Sequence, residues 1–164
     1  MNKRFDRQPR TNALPDWAAG HDPAVTGRNE HRVDLQFRDE VKPADRRRSL
    51  AWKGFTAEHV VIDGARELAY DWAGNAHYLA LHDIKLVDGE IALADGASHR
   101  RLDLCDRLTL APSGCWVAGW SSLAKRTNHF TAISYEADVL LEEVDRPGWG
   151  MTPDPMLYFS DPGL

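Results

Sequence analysis

Cysteine is nearly absent from this chain of 164 residues, with Cys105 and Cys115 its only two. Their spacing is neither CxxC nor CxxxC, so zinc and disulfide frameworks are both unsupported, and reduced thiols in a cytoplasmic protein are the expectation. No apolar run follows Met1-Asn-Lys-Arg-Phe-Asp-Arg, which argues against a secretory leader, and no window has the length of a transmembrane helix, so no membrane role is expected. Phosphate-cradling glycine loops are missing too, as neither GxGxxG nor GxxxxGK occurs. The chain has no GxSxG elbow, and neither cysteine carries the local signature of a catalytic thiol. No catalytic residues and no cofactor can be assigned, and the expectation is a protein that is not an enzyme.

What is present is a packed globule with a polar lead-in. The hydrophobic share is 43% and there are six tryptophans, enough for one domain of ordinary size. Charge is distributed unevenly. Residues 1–48 hold 11 of the 20 Lys and Arg and 8 of the 25 Asp and Glu, a net of +3, whereas residues 49–164 carry 9 basic against 17 acidic residues, a net of −8. An acidic body is a poor phosphate binder, because nucleic-acid affinity rests on Lys and Arg displacing counterions, so direct DNA binding is not expected. The stretch 1–48, with Pro9, Pro15, Pro23 and Pro43 and no sustained apolar period, reads as a poorly ordered tail. Within it Val33-Asp-Leu-Gln-Phe alternates as one short strand would, and Arg46-Arg47-Arg48 reads as a solvated entry to the fold.

From about Leu50 the chain reads as short apolar runs separated by turn residues, the pattern of an antiparallel sandwich or barrel. Strands are expected at Phe55 to Ile62, Ala65 to Trp72, His77 to Lys85, Glu90 to Ala94, Asp106 to Leu110, Cys115 to Trp120 and Phe130 to Tyr135. Asp63-Gly64, Asp88-Gly89 and Asp95-Gly96 are hairpin signals, since glycine reaches positive φ at little cost and Asp tolerates it. Ala73-Gly74-Asn75 and Pro112-Ser113-Gly114 close further turns. Glu136-Ala-Asp-Val-Leu-Leu-Glu-Glu-Val suggests a short C-terminal helix ended by Pro147-Gly148. The fold class expected from this pattern is mainly β, an antiparallel sandwich or barrel spanning residues 49–164.

Seven histidines invite a metal reading. Metal-binding barrels of the cupin type use an HxH pair with a later carboxylate, plus a histidine three residues after a PxG turn. The turn is present at Pro112-Ser113-Gly114, but position 117 is Val117. His77 and His82 are five apart and point to opposite faces of a strand, so they cannot share one ion. No metal ligands are assigned. Trp72, Trp116 and Trp120 sit at or near strand ends, where aromatic rings can line a barrel mouth and an indole N–H can give one directional contact. Trp116 and Trp120 share a face unless Gly119 introduces a bulge. Core packing alone is the plainer account of these rings. The pocket reading groups Trp72, Trp116 and Trp120 with His77 and Tyr135 as ligand-binding residues.

Several motifs in order resemble the sensor half of AraC/XylS-type bacterial transcriptional regulators. They are Ser49-Leu-Ala-Trp-Lys-Gly-Phe55, His77-Tyr-Leu-Ala-Leu-His-Asp83, Leu108-Thr-Leu-Ala-Pro-Ser-Gly-Cys115, Gly119-Trp-Ser121, Asn128-His-Phe-Thr-Ala132 and Met156-Leu-Tyr-Phe-Ser-Asp-Pro-Gly-Leu164. The resemblance implies a cupin-like, jelly-roll antiparallel barrel that binds a small-molecule effector, followed in that family by dimerisation helices and two helix-turn-helix units. The sequence has no such units after Leu164, so the reading is a truncated regulator, or a barrel that keeps only the sensor role. Possible partners are a second copy or an intact regulator. A cupin-type metalloenzyme, or a binding barrel that modulates intact regulators, is the alternative.

Overall fold

The computed structural model describes residues 34–37, 46–93, 98–136 and 153–163. They form strands β1 (Asp34–Phe37), β2 (Arg46–Trp52), β3 (Phe55–Asp63), β4 (Glu67–Ala73), β5 (His77–Asp83), β6 (Leu86–Leu93), β7 (Ser98–His99), β8 (Arg107–Ala111), β9 (Trp116–Leu123), β10 (Thr127–Tyr135) and β11 (Met156–Phe159). A five-stranded sheet has the order β1-β4-β9-β6-β7, and a six-stranded sheet the order β11-β8-β5-β10-β3-β2. Every pairing is antiparallel. The mainly β, jelly-roll and cupin-like reading holds. The C-terminal helix and the Asp95-Gly96 turn lie outside the described residues, as does most of the tail.

The chain changes sheet at most of its connections, and this corrects the role given to the Asp-Gly pairs. β3 and β4 lie in different sheets, so Asp63-Gly64 is a corner between layers, with Gly64 at φ 81. The Gly64 N–H donates to the Arg126 carbonyl at 3.1 Å, tying this corner to the β9–β10 corner. At the other end the Gly114 N–H donates to the Gly74 carbonyl at 2.9 Å, which joins the β8–β9 and β4–β5 corners. Asp88-Gly89 is no turn at all but lies inside β6, where the register against β9 shifts between Leu86 and Asp88. A Cβ on Gly89 would sit 2.9 Å from the Trp120 carbonyl, so the glycine serves close strand approach. A two-residue hairpin does occur at Lys53-Gly54, between Trp52 and Phe55.

The barrel begins before residue 49. β1 falls within the predicted strand at 33–37, and the three arginines at 46–48 open β2, an edge strand paired along its length with β3. Burial alternates along β3, β6 and β10, so each strand turns one face inward. Val60, Ile62, Leu68, Trp72, Ala80, Ile91, Val117, Leu123, Phe130 and Ala132 build the core between the sheets. Asn128, fully buried, closes one end. Its Oδ1 accepts from the Lys85 N–H at 2.9 Å, and its Nδ2 donates to the carbonyls of Ala124 and Arg126, both at 3.1 Å. That satisfies an amide that would otherwise be costly inside.

Candidate functional site in the barrel interior

Between the sheets lies a cavity of about 70 Å³. Its wall is mostly apolar, with Ile62, Leu68, Ile91, Val117, Leu123 and Phe130 among the lining residues. The polar atoms in it come from few side chains: Tyr70 and Trp72 of β4, Tyr78 and His82 of β5, Thr109 of β8, Ser121 of β9 and Tyr158 of β11. Each strand delivers them by period-two alternation. Tyr78, Ala80 and His82 share the inward face of β5, and Tyr70 and Trp72 that of β4.

Tyr70 packs where β9 has no side chain. Gly119 is its ladder partner, and a Cβ there would run into the Tyr70 phenol and the Glu90 carbonyl. The register of β9 against β4 is continuous, so Gly119 makes room for a ring and forms no bulge. The Tyr70 hydroxyl shares hydrogen bonds with Tyr158 and Ser121. Burial pushes Tyr70 up to about 12, the two hydrogen bonds partly offsetting it. Tyr78 and Tyr158 are raised for the same first reason. Tyr158 holds its place from a backbone at φ 53, the left-handed region that bulky residues avoid at a cost of roughly 1–3 kcal/mol.

His82 Nε2 and the Thr109 hydroxyl form a hydrogen bond of 3.0 Å. Burial lowers the imidazole to about 4, so at neutral pH it is uncharged. Its Nδ1 is buried without a hydrogen-bond partner, and so is Trp72 Nε1. The two side chains that carry these orphaned atoms both line the apolar cavity. Such atoms carry a desolvation cost of roughly 1–3 kcal/mol each until something bonds to them.

The five residues grouped as a pocket in the sequence are separated by the fold. Trp72 lines the cavity. Trp116 and Trp120 alternate with the inward Val117 and Ser121, so they lie on the outer face of the five-stranded sheet. His77 and Tyr135 are ladder partners on the outer face of the six-stranded sheet, where their rings stack with centroids 5.1 Å apart. The Ser113 N–H donates to His77 Nδ1 at 3.3 Å, and burial lowers this imidazole as well. Tyr70, Tyr78 and Tyr158 were not singled out from the sequence, and His82 was weighed there only as a metal ligand. In His77-Tyr-Leu-Ala-Leu-His-Asp both faces carry apolar residues, so alternation alone could not say which histidine turns inward.

A cupin arrangement implies a metal centre, and the donors here do not fit one. The cavity lining holds one imidazole, His82, and no carboxylate, while Val117 stands where the post-turn histidine would be. Among the described residues no group of three or more His, Cys, Asp or Glu side chains could hold an ion. Both cysteines are free thiols. Cys105 donates to Asp83 Oδ1 at 3.2 Å, and burial together with Asp83 and Asp103 pushes its thiol up to about 11. No described helix is long and apolar enough to cross a membrane.

No known family model matches the chain, and no curated protein matches it in sequence. Solved structures do. The cupin domain of Cnp3 from Schizosaccharomyces pombe is 14% identical with a TM-score of 0.41, over 74% of this chain and 75% of that one. KdgF from Halomonas sp. is 18% identical with a TM-score of 0.41, over 65% and 91%. The ectoine synthase of P. lautus is 14% identical with a TM-score of 0.38, over 72% and 80%. At such identities a likeness concerns the fold alone, and the regulator resemblance stays on the sequence motifs. The expectation that the chain is not an enzyme is withdrawn: an ectoine synthase is among the structures matched, and a fold by itself does not decide whether a protein is an enzyme.

Proposed function

We propose that this cupin-like barrel binds one small, uncharged molecule in its interior cavity. The observation that carries the reading is a mostly apolar cavity whose lining includes two side chains, Trp72 and His82, each with a ring nitrogen left without a hydrogen-bond partner. An occupant with an acceptor for the indole N–H and a group that bonds the imidazole nitrogen would relieve both. A carboxylate or phosphate is a poor fit, because no Lys or Arg lines the cavity and His82 is neutral. Size is restrictive. A volume of 70 Å³ is well under the roughly 150 Å³ that houses a benzene ring, so the cavity as it stands takes a molecule of a few heavy atoms.

The finer reading is an effector-sensing role of the AraC/XylS type. It is supported by the motif order, in which 49–55 form the β2–β3 hairpin and 77–83 all of β5, the strand that brings in His82. The test is a thermal-shift screen of neutral alcohols, amides and ketones against carboxylates and phosphates, followed by NMR of the tryptophan indoles. Neutral compounds should raise the melting temperature and move the Trp72 Nε1–H resonance. Stabilisation by anions alone, or by ligands that leave that resonance in place, would sink the reading.

A further inference from the structure

The edge of the six-stranded sheet carries an unusual strand. β2 pairs with β3, and no other described strand lies beside it. It presents Leu50 at 71% and Trp52 at 68% exposure, the two most exposed large hydrophobic side chains among the described residues. Long apolar edges are normally blunted because their backbone groups template further pairing. Trp52 is also the outer end of a row of rings that continues through Phe55 and Tyr135 to His77, with centroids 5.9, 6.0 and 5.1 Å apart.

The hairpin decides which backbone groups of β2 face outward. A two-residue loop at Lys53-Gly54 makes Trp52 and Phe55 a hydrogen-bonded pair, so by alternation Leu50 and Arg48 also bond to β3. Ser49 and Ala51 therefore direct their N–H and C=O groups away from it. These two positions flank Leu50 symmetrically. An antiparallel second β2 with Leu50 on the two-fold axis sets Ser49 against the other copy's Ala51 as a hydrogen-bonded pair. It sets Leu50 against Leu50 as the closer, non-hydrogen-bonded pair. In the same register Arg48 of each copy falls opposite Trp52 of the other on the outer face, so cation meets indole and no arginine faces an arginine.

We propose that β2 is a self-association edge, and that two copies of this chain join there about a two-fold axis through Leu50 into one continuous sheet. The interface is isologous, with each patch its own complement. It buries the exposed Leu50 and Trp52 and satisfies the outward backbone groups of Ser49 and Ala51.

Sedimentation of the full chain over a range of concentrations reads this directly. A dimer is expected. Leu50→Asp sets like charges directly opposite each other and should weaken dimerisation by about tenfold or more. Ala51→Pro removes an outward N–H while leaving the bonds to β3 intact, and should also give monomers, with far-UV circular dichroism confirming the fold. Leu50→Cys should cross-link into a covalent dimer on mild oxidation, because Cα atoms of such a pair lie about 4.5 Å apart. A chain that is monomeric at all concentrations overturns the proposal, and would mean that another part of the chain covers the edge. A dimer that survives both Leu50→Asp and Ala51→Pro overturns it as well, placing the interface elsewhere.

Discussion

Tyr158 of β11 reaches across the barrel to share a hydrogen bond with Tyr70 of β4, linking the edge of one sheet to the interior of the other. The bond is held from a strained backbone, so the contact offsets a local cost at Tyr158. Tyr158→Phe keeps the ring and removes the hydroxyl. It should destabilise the fold by about 1–2 kcal/mol in denaturant unfolding, since Tyr70 loses one of its two hydroxyl partners in a buried site. An unchanged midpoint would show that Ser121 alone satisfies Tyr70.

Gly119 is the position most sensitive to a single added carbon. Gly119→Ala drives a methyl toward the Tyr70 phenol and the Glu90 carbonyl, and the carbonyl, part of the ladder, has little room to yield. A loss of about 1–3 kcal/mol in thermal or chemical unfolding is expected. A combined Gly119→Ala, Tyr70→Leu variant should recover part of it, because the ring is one of the two obstacles. No recovery would place the whole conflict on the β6 backbone.

His82 gives the barrel a defined acid response. Its folded pKa, about 4, lies below the unfolded value of 6.5. The unfolded chain therefore binds a proton that the folded chain refuses as pH drops from 6.5 to 4. Stability present above pH 6.5 is lost across that window, on the order of 3 kcal/mol in full. His82→Gln cannot titrate and should show a shallower loss between those limits. Equal slopes for both proteins would mean that the imidazole is not held neutral inside.

Cys105 should be a slow thiol. With a pKa raised to about 11, only about 0.1% is thiolate at pH 8, so alkylation by iodoacetamide should lag far behind that of a free cysteine. Asp83 accepts the thiol hydrogen bond and adds negative charge, while Arg126 Nη2 and His129 Nε2 bond the same carboxylate, each at 2.9 Å. Asp83→Asn should speed labelling several-fold. Rapid alkylation of the unmodified chain, followed by mass spectrometry at Cys105, would contradict this arrangement.

The sequence by itself determined most of the longer strands. β3, β5 and β10 follow from short runs rich in apolar, aromatic and β-branched residues, and a barrel follows from many such runs broken by turn residues. β11 was not legible, because its four residues contain a positive-φ tyrosine and follow a proline-rich stretch. Asp63-Gly64 marked a change of direction and Asp88-Gly89 did not, and a local turn signal cannot say whether the next strand joins the same sheet or crosses to the other. That depends on contacts far apart in the chain, such as Gly64 with Arg126 and Gly74 with Gly114.

The site was decided by tertiary structure for the same reason. Trp72 points inward in common with Tyr70 because β4 is covered on that face, whereas Trp116, Trp120, His77 and Tyr135 occupy outward positions that look no different in sequence. A strand offers two faces of equal local chemistry, and only the packing of one sheet on the other chooses which becomes the interior. That choice turns His82 and Trp72 into neighbours of a cavity and leaves Leu50 and Trp52 on an open edge.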